Sequence, residues 1–192
     1  MLKGVCVASD HMDILQKAAY IYDNLCKHHY VFELSNGHTI TLILRPQNFA
    51  HLAGIRKFSD LYEFRKDITA INLYHKILRG EIKLADAQRS QHYDLDAKDR
   101  IEYLSRVEEL LKSDRVVYGF DPNKNKLNSR LRSTVLLFKG DSHNFCMVLG
   151  IAPDGKTYYP ETFFLSYGIR YIEGQNIVSV TLFRTIQAQR IK

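Results

Sequence analysis

Near Arg115 the apolar residues change their spacing from steps of three and four to alternation, and this change limits the folds open to the chain. Before it, three helices are expected. The first is capped by Ser9 or Asp10 and runs to about Lys27, with Ile14, Leu15, Ala18, Tyr22 and Leu25 as one stripe. The second starts at Ser59, carries Leu61, Phe64, Ile68, Ile71, Tyr74 or His75, and Leu78, and is closed by Arg79-Gly80. The third spans about Ala97 to Lys112, with Ile101, Leu104, Val107 and Leu111 on one side and its charges on a solvated face. After the change, five strands are expected: Val116 to Phe120, Ser133 to Lys139, Asn144 to Ile151, Thr157 to Leu165 and Ile177 to Thr185.

Two alternating segments interrupt the helical part. Tyr30 to Ser35 and His38 to Arg45 flank Asn36-Gly37, a dipeptide suited to the positive φ angles of a type I′ hairpin turn. Asp154-Gly155 marks a second hairpin. Pro160 donates nothing to a sheet ladder, so its strand belongs at an edge or carries a bulge beside Glu161 and Thr162. Helices segregated from strands mean α+β: N-terminal helices with a β-hairpin, packed on a mostly antiparallel C-terminal sheet. No Pro/Gly/Ser-rich linker or internal repeat divides the chain. It reads as one domain over residues 1–192, helix-rich to 114 and sheet-rich from 115.

No apolar run approaches the ~18 residues of a membrane span, and the first ten residues lack the pattern of a secretory signal, so a soluble cytoplasmic protein is expected. Cys6, Cys26 and Cys146 form no Cys-x-x-Cys pair, which argues for free buried thiols rather than disulfides or zinc. His28-His29 is a poor metal pair, because neighbours on a helix diverge by about 100°. Neither a metal nor a cofactor is expected. The net charge of +6 points to an anionic partner, nucleic acid or acidic protein. Lys124, Lys126, Arg130 and Arg132, interleaved with asparagines, concentrate that charge in one loop.

The segment Arg45 to Gly54 is the best-defined local unit. Pro46 stops a strand, Asn48 offers a capping oxygen, and Gly54 supplies a left-handed exit, so His51 is aimed from a short helix towards Arg56 and Lys57. The alternative is a packing histidine among Phe49, Leu52 and Ile55. Phosphate-loop, dinucleotide, nucleophile-elbow and zinc-helix motifs are all absent. What remains is His51, Arg56 and Lys57, with Lys139, His143, Asn144, Tyr159, Glu161 and Thr162 on or near late strands. Such groups suit RNA cleavage without a metal, in which the 2′-hydroxyl is the nucleophile and the protein supplies a base, a cation and a proton or hydroxyl at the leaving oxygen. With a free pKa near ~6.5, histidine serves as acid or base.

Phe32-x-Leu34, Asn36-Gly37-His38, Leu42-x-Leu44, Asn48-Phe49-x-His51-Leu52-x-Gly54-Ile55 and the late Phe163-Phe164 together resemble the phage and mobile-element nucleases of the barnase, EndoU, colicin and RelE (BECR) fold, the fourth phage family above all. The sharp element is Phe-x-His-Leu-x-Gly. The resemblance implies helices packed on an antiparallel sheet and a metal-independent ribonuclease acting as a toxin, with RNA as substrate and an antitoxin or immunity protein as partner. It carries His51 over as the catalytic histidine, Thr162 as a phosphate-contacting hydroxyl, and Lys57 and Arg56 as phosphate cations. The N-terminal hairpin and the third helix depart from the simplest form of that fold.

A second reading keeps the fold but makes the chain a non-catalytic nucleic-acid or protein binder, using the loop from Lys124 to Arg132 with His51 as packing. It predicts salt-sensitive binding without cleavage. A third, an ADP-ribosyltransferase-like effector, lacks an ordered set of His, Tyr and Glu.

Overall fold

The computed structural model describes residues 12–65, 67–125, 135–139, 145–165 and 171–188. Its helices are α1 (Ile14–Leu25), α2 (Pro46–Leu52), α3 (Ala70–Leu78), α4 (Leu84–Ala87), α5 (Lys98–Leu104) and α6 (Val107–Leu111). Its strands are β1 (His28–Leu34), β2 (Thr39–Ile43), β3 (Arg115–Tyr118), β4 (Val135–Lys139), β5 (Phe145–Ile151), β6 (Thr157–Leu165) and β7 (Ile177–Gln187).

The strands close into a barrel in the order β1-β2-β6-β5-β4-β3-β7. The α+β mixture is as expected, but the division into an early hairpin and a late sheet is not. Long β7 pairs with β1 on one side and β3 on the other, so the early hairpin forms two staves of the same barrel. The seam between β2 and β6 is parallel, with Thr41 opposite Thr157 and Leu42 opposite Tyr158, while the other described seams are antiparallel. Alternation shows which residues form a strand; the choice of partner strand is a long-range matter that alternation does not encode.

Local chemistry explains several shifted boundaries. Ser9 and Asp10 lie outside the described residues; α1 is capped by Asp13, whose Oδ1 accepts from the Gln16 amide at 2.8 Å. Ser59 caps no long helix. Residues 59–65 form turns and a 3-10 turn at Tyr62–Phe64, residues 67–69 add no helix, and α3 starts only where the Thr69 hydroxyl accepts from the Asn72 amide. The expected third helix breaks at Ser105-Arg106, where the Ser105 hydroxyl donates to the Glu102 carbonyl. The first hairpin is not a two-residue type I′ turn. Gly37 N donates to Leu34 O and Leu34 N to His38 O, with Gly37 at φ 84°, the pattern of a three-residue loop ending in a left-handed glycine. His28 and His29 are strand neighbours on β1, so they point to opposite faces.

One apolar core joins the barrel interior to the helices. Phe49 of α2 meets Tyr22 of α1 and Tyr74 of α3 edge-on, at ring separations of 5.5 and 5.3 Å. A smaller cluster lies on the outer face of β3, β4 and β5, with Val117, Leu136, Cys146 and Val148 covered by Phe120 and Ile172. Cys26 and Cys146 are free thiols, both pushed up to about 12 by burial; Cys6 lies outside the described residues. Among the described residues no helix is long and apolar enough to cross a membrane.

Candidate functional site

The site begins with how α2 is built. Pro46 opens the helix rather than merely ending the strand, and Asn48, one turn in, reaches back so that its Oδ1 accepts from the Arg45 amide. Phe49, Ala50 and Leu52 are buried, whereas His51 is exposed on the opposite side. It is therefore not a packing histidine. The chain leaves α2 through Gly54 at φ 77°, where a Cβ would collide with the main-chain oxygen of Asp96. That close approach docks the end of α2 against a single π-helical turn at Tyr93–Ala97, from which α5 continues.

Docking these elements assembles a charged cluster around His51. Arg100 of α5, Lys57 and Glu161 of β6 all act on its ring. Its pKa lies below the ordinary histidine value. Partial desolvation is the chief cause and the Arg100 guanidinium the next; the Glu161 main chain and carboxylate oppose them, and Lys57 adds a further push downward. The bond to the Glu161 main chain favours the charged ring, so the ring N–H is its donor and a carbonyl its acceptor. This holds one nitrogen as N–H and leaves the other as a lone pair.

The bulge on β6 explains why that carbonyl is available. Thr162 lies opposite Val148 and Pro160 opposite Leu149, so Glu161 is the extra residue of the bulge. Pro160 thus sits at a bulge of β6, a strand placed between β5 and β2, beyond Thr157 and Tyr158, which pair with β2. Lys57 is ion-paired with Asp96, whose other oxygen lies 3.6 Å from Nδ1 of His92. Burial lowers the pKa of Arg100 and Asp96 raises it, yet a guanidinium stays charged at neutral pH.

The other expected residues are dispersed. Arg56 is half-buried and its Nη1 donates to the Ile68 carbonyl at 2.8 Å, tying down the segment before α3. Thr162 shares the face of its partner Val148, which belongs to the outer apolar cluster, so β6 meets His51 through Glu161. Tyr159 is half-buried and lines a cavity with Gln47 of α2. Lys124 is exposed in a 3-10 turn after β3. Lys139 is described by its main chain, as the last residue of β4 opposite Phe145. Lys126, Arg130, Arg132, His143 and Asn144 lie outside the described residues. Among those described, no three His, Cys, Asp or Glu side chains gather as a metal-holding group.

Arg100 is the residue that the sequence reading passed over as part of a solvated face. Yet Ala97, Arg100, Ile101 and Leu104 share one helical spacing, and the three apolar members are buried. A cation interrupting an apolar stripe was the available signal.

Compared with known families, the chain matches the model described as phage-Barnase-EndoU-ColicinE5/D-RelE like nuclease 4 over residues 14–184. None of the curated proteins and none of the solved structures compared with it match.

Proposed function

The chain belongs to the phage-Barnase-EndoU-ColicinE5/D-RelE like nuclease 4 family, and from that premise we propose that it is a metal-independent endoribonuclease with His51 as general base. One observation carries this reading. His51, an exposed residue, has one ring nitrogen engaged by the Glu161 carbonyl and its pKa held down by desolvation and nearby cations, which leaves a neutral ring whose other nitrogen can accept a proton at pH 7.

In the proposed step the ribose 2′-hydroxyl gives its proton to His51 while its oxygen attacks phosphorus. The bond to the 5′-oxygen breaks, and that oxygen takes a proton from solvent. The products are a 2′,3′-cyclic phosphate and a 5′-hydroxyl. Arg100 and Lys57 supply positive charge beside the oxygens that gain negative charge. Glu161 replaces Thr162 as the contribution of β6, and Arg56 holds the scaffold. The net charge of +6 suits a polyanionic substrate. The phage grouping supports a toxin or mobile-element effector in the cytoplasm, with an antitoxin or immunity protein as its partner.

The test is to incubate wild type and His51→Ala with total RNA, and with single-stranded DNA, in EDTA and to map the new ends. Expected are cyclic-phosphate ends on RNA from wild type, a fall of about 10² to 10⁴ in the variant, and intact DNA. RNA bound by both proteins and cut by neither would overturn the reading in favour of a binding module.

A further inference from the structure

A cavity of about 270 Å³ opens between the start of α2 and the turn joining β5 to β6. Gln47, Tyr158, Tyr159, Arg45, Ile43 and Pro153 are among the residues that line it. We propose that this cavity is the subsite for the nucleobase next to the scissile phosphate, with Tyr159 as its stacking platform and Gln47 reading the edge of the base. The assignment of that phosphate to His51 rests on the ribonuclease reading above.

Position is the first argument. Gln47 and His51 are four residues apart on α2, so they share a face with Cβ atoms roughly 5–6 Å apart. The cavity therefore adjoins the histidine at about the reach of one ribose, and β6 borders both, with Tyr159 at the cavity and Glu161 at the ring.

The second argument is how the aromatic wall is held. Tyr159 lies opposite Gly150 on β5, and a Cβ built on Gly150 would stand 2.5 Å from Cζ and 2.7 Å from the hydroxyl of Tyr159. The ring is laid against bare backbone that only glycine leaves open. One face is thus supported from behind, and little freedom remains to be lost when a base stacks on it. Tyr158 is fixed as well, by a side-chain hydrogen bond with Tyr118.

Chemistry is the third. Among the described residues the one carboxylate at the rim, Asp154, is occupied by the turn: it accepts from the amides of Lys156 and Thr157 and from the Thr157 hydroxyl at 2.7–2.8 Å. The Asn48 oxygen is occupied by the Arg45 amide. An amide with both donor and acceptor, a flat aromatic wall and an arginine suit a planar heterocycle joined to an anion.

Two measurements test this separately from the His51 reading. In the first, wild type is titrated with each of the four 3′-nucleoside monophosphates and with inorganic phosphate, following the backbone amides of Gln47, Gly150 and Tyr159 by NMR. At least one nucleotide should shift them saturably and phosphate alone should not. Tyr159→Ala should weaken that binding on the order of tenfold, and Gly150→Ala, which pushes the ring aside while keeping it, should weaken it in the same direction. No shift, the same shift with phosphate, or indifference to both substitutions would overturn the subsite.

The second measurement is steady-state cleavage. Tyr159→Ala should raise KM on the order of tenfold with kcat nearly unchanged, and should flatten the base preference at the cut. An unchanged KM and preference, in a protein that still needs His51, would overturn the subsite and leave the base in place. Absence of cleavage by wild type would instead overturn the ribonuclease reading, with the nucleotide titration still deciding the subsite.

Discussion

Arg100 and Arg106 sit less than two helical turns apart in sequence and are used in opposite ways. Arg106, at the break between α5 and α6, is clasped by Glu109, with Nε and Nη2 each 2.8 Å from a carboxylate oxygen. Its charge is spent on the surface of its own helix. Arg100 lies against the seam between α2 and β6, where its field bears on His51. The same guanidinium is thus a local brace in one place and part of a cationic cluster in the other. What separates them is what the fold adds to the local carboxylate: Arg106 is held by Glu109 three residues along, whereas Arg100, with Asp96 four residues back, also acts on a histidine from a distant helix.

The largest expected effect breaks the seam itself. Gly54→Ala places a side chain at φ 77° against the backbone of Asp96, so a loss of about 3 kcal/mol is expected, together with most of the cleavage activity. Gly155→Ala is the control. Its φ of 66° carries similar backbone strain, but nothing lies within 4 Å of the added carbon, and about 1 kcal/mol is expected. Urea denaturation of both variants measures the difference, and equal midpoints would show that the contact with Asp96 does not hold the seam.

Next is the comparison of the two arginines. Arg100→Gln should lower kcat/KM by roughly 10- to 100-fold, whereas Arg106→Gln should leave it within about twofold and cost no more than ~1 kcal/mol of stability. Circular dichroism melts and cleavage assays on both variants separate the two roles. Equal losses of activity would erase the distinction.

The pH dependence sharpens it further. His51 titrates below its unfolded value of ~6.5, so the folded protein binds fewer protons than the unfolded chain just below that pH. This group therefore contributes a stability penalty that is absent above pH ~6.5, grows as the pH falls and is complete below its folded pKa. Cleavage should rise with pH through that lowered pKa and then level. Desolvation is the larger cause of the shift and survives in Arg100→Gln, so that variant should move the acid limb upward only part of the way towards ~6.5. A pH–rate profile with an NMR titration of His51 tests this; an unmoved limb would remove Arg100 from the cluster.

Much of the fold is legible wherever the signal is local. The strand Thr157–Leu165 follows from alternation, the bulge beside Glu161 from Pro160, and the end of α3 from Arg79-Gly80, with Gly80 at φ 73°. The segment from Pro46 to Gly54 announces a short helix whose histidine is either aimed or packed, and the chain builds that helix with the histidine exposed. Ser59 misleads because a possible cap is only an offer. Thr69 makes the hydrogen bond instead, after a stretch whose turns close on themselves.

By itself, then, the sequence determined most of the strands, the α+β mixture, the short helix that carries His51 and the family to which the chain belongs. The tertiary structure decided the rest: that β7 would close the hairpin and the late strands into one barrel, that the bulge would turn the Glu161 carbonyl to His51, and that the charge of Arg100 would act on the ring. Periodicity and capping act over a few residues and can be read along the chain. Strand pairing, and the desolvation that sets a histidine's pKa, depend on which distant surfaces come together once the core has formed.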